Sequence, residues 1–168
     1  MQNILNNKKL ILASGSPRRQ ELLEYSGIIP FDKRVKEIDE IFSPDLDITQ
    51  VASFLAREKA MVFDDIAEDE VYITADTIVI CEGKIYGKPK DKVDAIKILS
   101  ELSGIEHTVI TGVCLRSASE TYVFDDISRV KIADITSEEI EYYIDTCKPF
   151  DKAGSYGIQD WLGVCKVE

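Results

Sequence analysis

The segment Ala13-Ser14-Gly15-Ser16-Pro17-Arg18-Arg19 has the residue types that hold an anion. A helix that starts here exposes backbone N–H groups and a partial positive charge at its first turn. Gly15 lets a phosphate approach the backbone, the hydroxyls of Ser14 and Ser16 add donors, and Arg18 and Arg19 add forked, permanently charged ones. The G-x-x-x-x-G-K pattern of a Walker loop is missing, and the alternative to the phosphate site is a well-capped helix with two solvated arginines. A second candidate is Asp76 within Thr74-Ala75-Asp76-Thr77, in an otherwise apolar run. A carboxylate there is expensive without a partner, so it calls for a metal, a lysine or work as a proton acceptor. A structural ion pair would also account for it.

Three weaker signals accompany these. Glu37-Ile38-Asp39-Glu40 clusters carboxylates that suit a hard cation such as Mg²⁺, although a solvated acidic loop is the simpler account. In Tyr86-Gly87-Lys88-Pro89-Lys90, Pro89 keeps Lys88 in extended backbone, from which its amine projects. The run from Phe150 to Gln159 places Lys152, Gly154, Gly157 and Gln159 in one segment, either a loop that closes on a ligand or a flexible connection.

The elements that must position these groups follow from local pattern. Residues 9–14 read as a buried strand broken by Gly15, with Ser16 as N-cap and Pro17 as first helical residue, and the helix over 18–25 stops at Gly27. Residues 28–35 read as a second strand, 36–47 as acidic loop and 48–66 as a helix with Ala52, Leu55, Val62 and Ile66 on one face. Lys59 falls on that apolar face, where it either snorkels from the core's rim or reaches into a cleft. Residues 71–81 form the most strand-like run. A turn at 82–84 leads into Ile85 and Tyr86, a helix covers 91–103, and paired strands cover 107–115 and 121–132. Ser137 is placed to cap a helix over 137–147, residues 149–157 read as loop, and 164–167 as the start of a last strand. The mixture is α/β, with no repeat, linker or low-complexity segment.

Composition narrows the function classes. At 168 residues the chain suits one domain, and 45% hydrophobic with 30% charged residues is an ordinary globular balance. A net charge of -11 argues against binding duplex nucleic acid or an anionic membrane through the general surface. Cys81, Cys114, Cys147 and Cys165 form no C-x-x-C pair, and His107 is the only histidine. Neither zinc spacing nor a disulfide framework is present, so four reduced, mostly buried thiols in a cytoplasmic protein are expected. Residues 1–9 lack the apolar core of a signal peptide, and no run is long enough to span a membrane.

Taken in order, S-x-S-x-R-R, A-D-T-I-V, G-K-P-K-D, L-S-G-x-x-H-x-V-x-T-G and D-K-A-G-x-Y-G-I-Q resemble the Maf family of nucleotide pyrophosphatases, over residues 10–159. The resemblance implies a single domain over 1–168, with two α/β lobes, a mixed sheet and a central cleft. That architecture is shared with inosine triphosphate pyrophosphatases, and the family's last segment would be missing here. It implies a homodimer and cleavage between the α- and β-phosphates with a divalent cation, Mg²⁺ or Mn²⁺. Ser14, Arg18, Arg19, Lys59 and Lys88 would bind phosphate, and Lys152 and Gln159 would line the cleft. Asp76 would accept the proton and, with Glu40, hold the metal. S-P-R-R with A-D-T-I-V resembles the dTTP/UTP branch, with Thr77 and Gln159 near the base. The alternatives are a nucleotide-binding regulator of cell division without turnover, a 7-methyl-GTP-type enzyme, or an inosine triphosphate pyrophosphatase, whose opening motif differs.

Overall fold

The computed structural model describes residues 8–168; most of the N-terminal stretch read above, residues 1–7, lies outside the described residues. The chain forms two compact units, Met1–Asp76 with Thr111–Asp125, and Thr77–Ile110 with Asp126–Glu168.

In the first unit, β1 (Lys9–Leu12) pairs in parallel with β2 (Phe31–Lys33) and with β3 (Glu70–Cys81). Its consecutive apolar residues divide between two faces, as a strand's period of two demands. Leu10 and Leu12 pack with Leu23 of α1 (Pro17–Tyr25), while Ile11 packs with Phe63 and Tyr72. Helix α1 opens as read, with Ser16 as N-cap and Pro17 in its first turn. It ends with Gly27 at φ 72°, a left-handed position that suits glycine. Helix α2 (Val51–Met61), entered through a 3₁₀ turn at Ile48–Gln50, packs Ala56 and Ala60 against Cys114 of β5 (Glu106–Arg116).

In the second unit, β4 (Lys84–Tyr86) runs antiparallel to the end of β3. Helices α3 (Lys92–Leu102) and α4 (Ser137–Cys147) share a core with Val79, Tyr86, Ile132 and Tyr156. With β6 (Thr121–Lys131) the hydrogen-bonded strand order is β2-β1-β3-β5-β6, with β4 beside β3. The sheet is mixed and the class α/β, as expected. Strands β3, β5 and β6 each supply residues to both units.

Several boundaries differ from the sequence reading. Strand β2 covers only Phe31–Lys33, because Pro30 has no N–H for the ladder and β1 offers register only from Leu10 to Leu12. Helix α2 stops at Met61 rather than continuing to 66. Arg116 donates to the carbonyl oxygens of Ala60 and Phe63 at 2.8 and 3.1 Å, capping the helix end from a strand distant in sequence. Thr136, not Ser137, caps α4. It forms a capping box, its hydroxyl accepting from the Glu139 N–H and the Glu139 carboxylate accepting from its own. Residues 164–167 are not a strand. They lie largely in α5 (Trp161–Lys166), where Gly163 packs so closely on Ile158 that a Cβ would sit 2.3 Å from its carbonyl oxygen. Only Val167 forms a β-bridge, to Ile132. All four cysteines are free, but Cys147, at the end of α4, is half-buried, and Cys165 is exposed, because α5 turns Leu162 and Gly163 inward and Cys165 outward.

Candidate active site

The first unit contains six of the residues singled out above: Ser14, Arg18, Arg19, Glu40, Lys59 and Asp76. Asp76 lies in mid-β3, its carboxylate buried as the strand pattern requires. The Lys59 ammonium donates to Asp76 Oδ1 at 2.5 Å and to Glu40 Oε1 at 2.7 Å. The lysine on the apolar face of α2 therefore reaches inward to a partnered carboxylate. Burial raises the Asp76 carboxyl above its ordinary value. Lys59 and Arg19 oppose the shift, and Glu40 adds to it.

Beside this cluster, Ser14 is buried, and its Oγ accepts from the Ser16 N–H at 3.2 Å and from Arg19 at 3.4 Å. Arg19 also donates to the Ala75 carbonyl oxygen at 2.6 Å. It thus fastens the start of α1 to the strand position preceding Asp76. Burial lowers its guanidinium pKa, Asp76 opposes, and Arg18 adds to the lowering; a guanidinium nonetheless stays charged. Arg18 is half-buried on the same turn. The Ser16 side chain makes no capping bond, so the positive end of α1 is not closed by its own N-cap hydroxyl. A second support lies beneath: Thr74 Oγ1 donates to the Ala56 carbonyl oxygen at 2.6 Å, locking α2 against β3 one turn from Lys59.

In the second unit, Thr77 is half-buried on β3, and Lys88 and Gln159 are exposed. The Lys152 ammonium lies 3.0 Å from Asp151 and 3.5 Å from Asp160. Within this unit no hydrogen bond or ion pair joins Lys88, Lys152 and Gln159 to one another. Sequence reading missed what holds their loop. Tyr143 donates to Asp160 Oδ2 at 2.8 Å and accepts from the Gly157 N–H at 3.2 Å. The Gly154 N–H reaches the Gly87 carbonyl oxygen at 3.1 Å. No local signal marks Asp160 or Tyr143, since their partners lie on another element.

His107 is the other missed support. It is buried, with Nδ1 3.3 Å from the Ile105 carbonyl oxygen and Nε2 2.7 Å from the Tyr156 hydroxyl. A carbonyl only accepts, so Nδ1 carries the proton and Nε2 of the neutral ring accepts from Tyr156. Burial lowers the imidazole pKa, against the pull of Ile105. The unfolded chain therefore takes up a proton below about pH 6.5 that the folded chain refuses. His107's contribution to stability is complete above that value and is lost as pH falls toward the folded pKa, with a slope of at most about 1.4 kcal/mol per pH unit. Urea denaturation between pH 7 and 5 is expected to show this loss in the wild type and a flatter curve in His107→Gln; equal slopes would remove the assignment.

Comparison with known proteins completes the picture. A family model described as Maf-like protein matches residues 9–168. The chain is 46% identical over 162 residues to a dTTP/UTP pyrophosphatase of Flavobacterium psychrophilum, covering 96% of this chain and 83% of that protein. It is 44% identical over 169 residues to a dTTP/UTP pyrophosphatase of Christiangramia forsetii, covering 100% and 86%. A third, from Bacteroides fragilis, is 44% identical over 165 residues, covering 98% and 86%. Among solved structures, a HAM1 protein from Coxiella burnetii is a distant likeness, with a TM-score of 0.49 and 15% identity over 76% of this chain and 74% of that chain.

Proposed function

The chain belongs to the Maf family, and from that membership we propose that it hydrolyses dTTP and UTP to the monophosphate and pyrophosphate. It is a hydrolase acting on the α–β phosphoanhydride. The observation that carries the reading is the buried Asp76 carboxylate on Lys59, beside the α1 turn that bears Ser14, Arg18 and Arg19. Relatives that carry the name dTTP/UTP pyrophosphatase over nearly the whole chain support the substrate.

In the proposed mechanism, Asp76 accepts a proton from the water that attacks the α-phosphorus. Its raised pKa makes it a stronger proton acceptor than an exposed aspartate. Ser14, Arg18, Arg19 and Lys59 bind the phosphates and offset their charge, the dominant demand in phosphoryl chemistry. Lys88 and Lys152 add charge, and Thr77 and Gln159 face the base; these four roles rest on the family resemblance. Glu40 and Asp76 fit a hard divalent cation, Mg²⁺ or Mn²⁺, since both present carboxylate oxygens to one point, the Lys59 ammonium. Among the described residues no group of three or more His, Cys, Asp or Glu is placed to hold a metal. Phosphate oxygens and water would therefore complete the shell. When bound, the cation neutralises phosphate charge and acidifies water.

No helix among the described residues is long and apolar enough to cross a membrane. We place the enzyme in the cytoplasm, where nucleoside triphosphates are, and expect one domain that acts as a homodimer, as the family resemblance implies.

The test is a panel of dTTP, UTP and CTP with Mg²⁺ or Mn²⁺ and product identification. Pyrophosphate and monophosphate are expected. Orthophosphate with the diphosphate would mean γ-cleavage and overturn the reading, and absence of turnover would favour the regulatory alternative. CTP is expected to show a kcat/KM at least about tenfold lower, because an amide oriented for O4 and N3–H of uracil leaves polar groups unpaired against cytosine. Gln159→Ala should narrow that gap; unchanged selectivity would remove Gln159 from the base site.

A further inference from the structure

The Lys59 ammonium occupies the point at which the two metal-binding carboxylates converge. It lies 2.5 Å from Asp76 and 2.7 Å from Glu40; the side chains of Lys59 and Asp76 are only 19% and 10% exposed, and that of Glu40 is 42% exposed. The Lys59–Asp76 bridge, largely withdrawn from water, is poorly screened by solvent ions. A divalent ion on the same two carboxylates would stand within a few ångströms of the ammonium, and the repulsion at that range is large. The carboxylates cannot serve both cations at full strength. Lys59 has a flexible four-carbon stem and rotatable donors, so the ammonium can leave without disturbing α2. The α1 turn, with Ser14, Arg18 and Arg19, offers a place where a triphosphate would set anionic oxygens to receive it.

We propose that Lys59 is a resident counter-cation that keeps the divalent ion off Asp76 and Glu40 until a triphosphate draws the ammonium onto its own oxygens, so that the ion enters together with the nucleotide. The inference rests on the assignment of Glu40 and Asp76 as metal ligands. It makes Lys59 an ordering device as well as a phosphate ligand: in the free protein it masks the carboxylate pair, and in the complex it offsets phosphate charge.

The experiment measures Mn²⁺ binding to nucleotide-free protein by electron paramagnetic resonance, which reads no turnover. Lys59→Met keeps the apolar stem and removes the charge, and Lys59→Arg keeps the charge. Lys59→Met is expected to bind Mn²⁺ at least about tenfold more tightly than wild type, given the strength of like-charge repulsion at a few ångströms. Lys59→Arg should remain near wild type. Unchanged or weaker binding in a folded Lys59→Met overturns the proposal, including the case in which Asp76 without its lysine simply takes up a proton. A measurement on the unaltered protein decides the matter should the variants fail to fold. Reductive methylation of Lys59, mapped by mass spectrometry, should accelerate several-fold at Mg²⁺ concentrations high enough to load the carboxylates, and an unchanged rate overturns the proposal. Failure of the metal assignment itself has a different signature, because Glu40→Gln would then leave Mn²⁺ binding intact both in Lys59→Met and in the nucleotide complex.

Discussion

Asp76→Asn is expected to lower kcat by about a hundredfold or more, the scale of a positioned general base, while nucleotide binding remains measurable. The asparagine fills the same space in β3 and still accepts a hydrogen bond from Lys59, but it cannot take the proton of attacking water. Ser14, Arg18 and Arg19 are expected to remain in place, since the Arg19 bond to the carbonyl oxygen of Ala75 does not involve the aspartate side chain. Dissociation constants for a non-hydrolysable triphosphate separate binding from chemistry, and single-turnover rates report the step itself. A variant that turns over at near the wild-type rate would strip Asp76 of its role. A matching loss of affinity would make it chiefly a binding group. Circular dichroism under the same conditions guards the comparison, as Asp76 is buried.

Gly112→Ala is expected to destabilise the protein by about 3 kcal/mol or more, above the usual range for overpacking. A Cβ at this position would stand 2.3 Å from the backbone carbon of Ala52 and 2.3 Å from the nitrogen of Ser53. These atoms belong to α2, so no side-chain rotation relieves the collision; the helix must shift away from β5. Against a typical stability of about 5–15 kcal/mol, such a loss leaves little margin. Because α2 also carries Lys59, any fraction that folds is expected to show weakened triphosphate use. Urea denaturation gives the first quantity and kcat/KM the second. A midpoint within error of the wild type would show that the helix yields at little cost, and the close approach would then be incidental.

The helix over residues 91–103 shows how far local pattern reaches. Its observed span is Lys92–Leu102, and the Asp91 side chain accepts from the Asp94 N–H at 2.8 Å. Cap, apolar spacing and stop all lie within one window of sequence, so propensity and packing agree. Residues 161–166 show the opposite. A run of Leu, Gly, Val and Cys carries no decisive period, and the outcome depends on Gly163 packing against Ile158 and on the bridge from Val167 to Ile132. Helix α2 is intermediate: its apolar face was legible at Ala52 and Leu55, but Val62 and Ile66 lie beyond its end, which Arg116 sets from a position no local signal gives.

The candidate site divides along the same line. Sequence alone determined that Asp76 needs a partner, because an ionised carboxylate in an apolar strand is costly wherever the strand lies. It determined that Lys59 is out of place on its helix face, that residues 13–19 run from strand through turn to helix, and, through five motifs in order, the family. These follow from residue type and from periods of two and 3.6 residues. Only the tertiary structure decided that Lys59 is the partner of Asp76, 17 residues away, and of Glu40, 19 residues away. Only it showed that Arg19 holds the Ala75 carbonyl and that Tyr143, Asp160 and His107 brace the loop around Lys152. The reason is geometric. A local pattern fixes which face a side chain occupies, whereas an ion pair between elements depends on register and packing to within about an ångström, and those are set by the whole core at once.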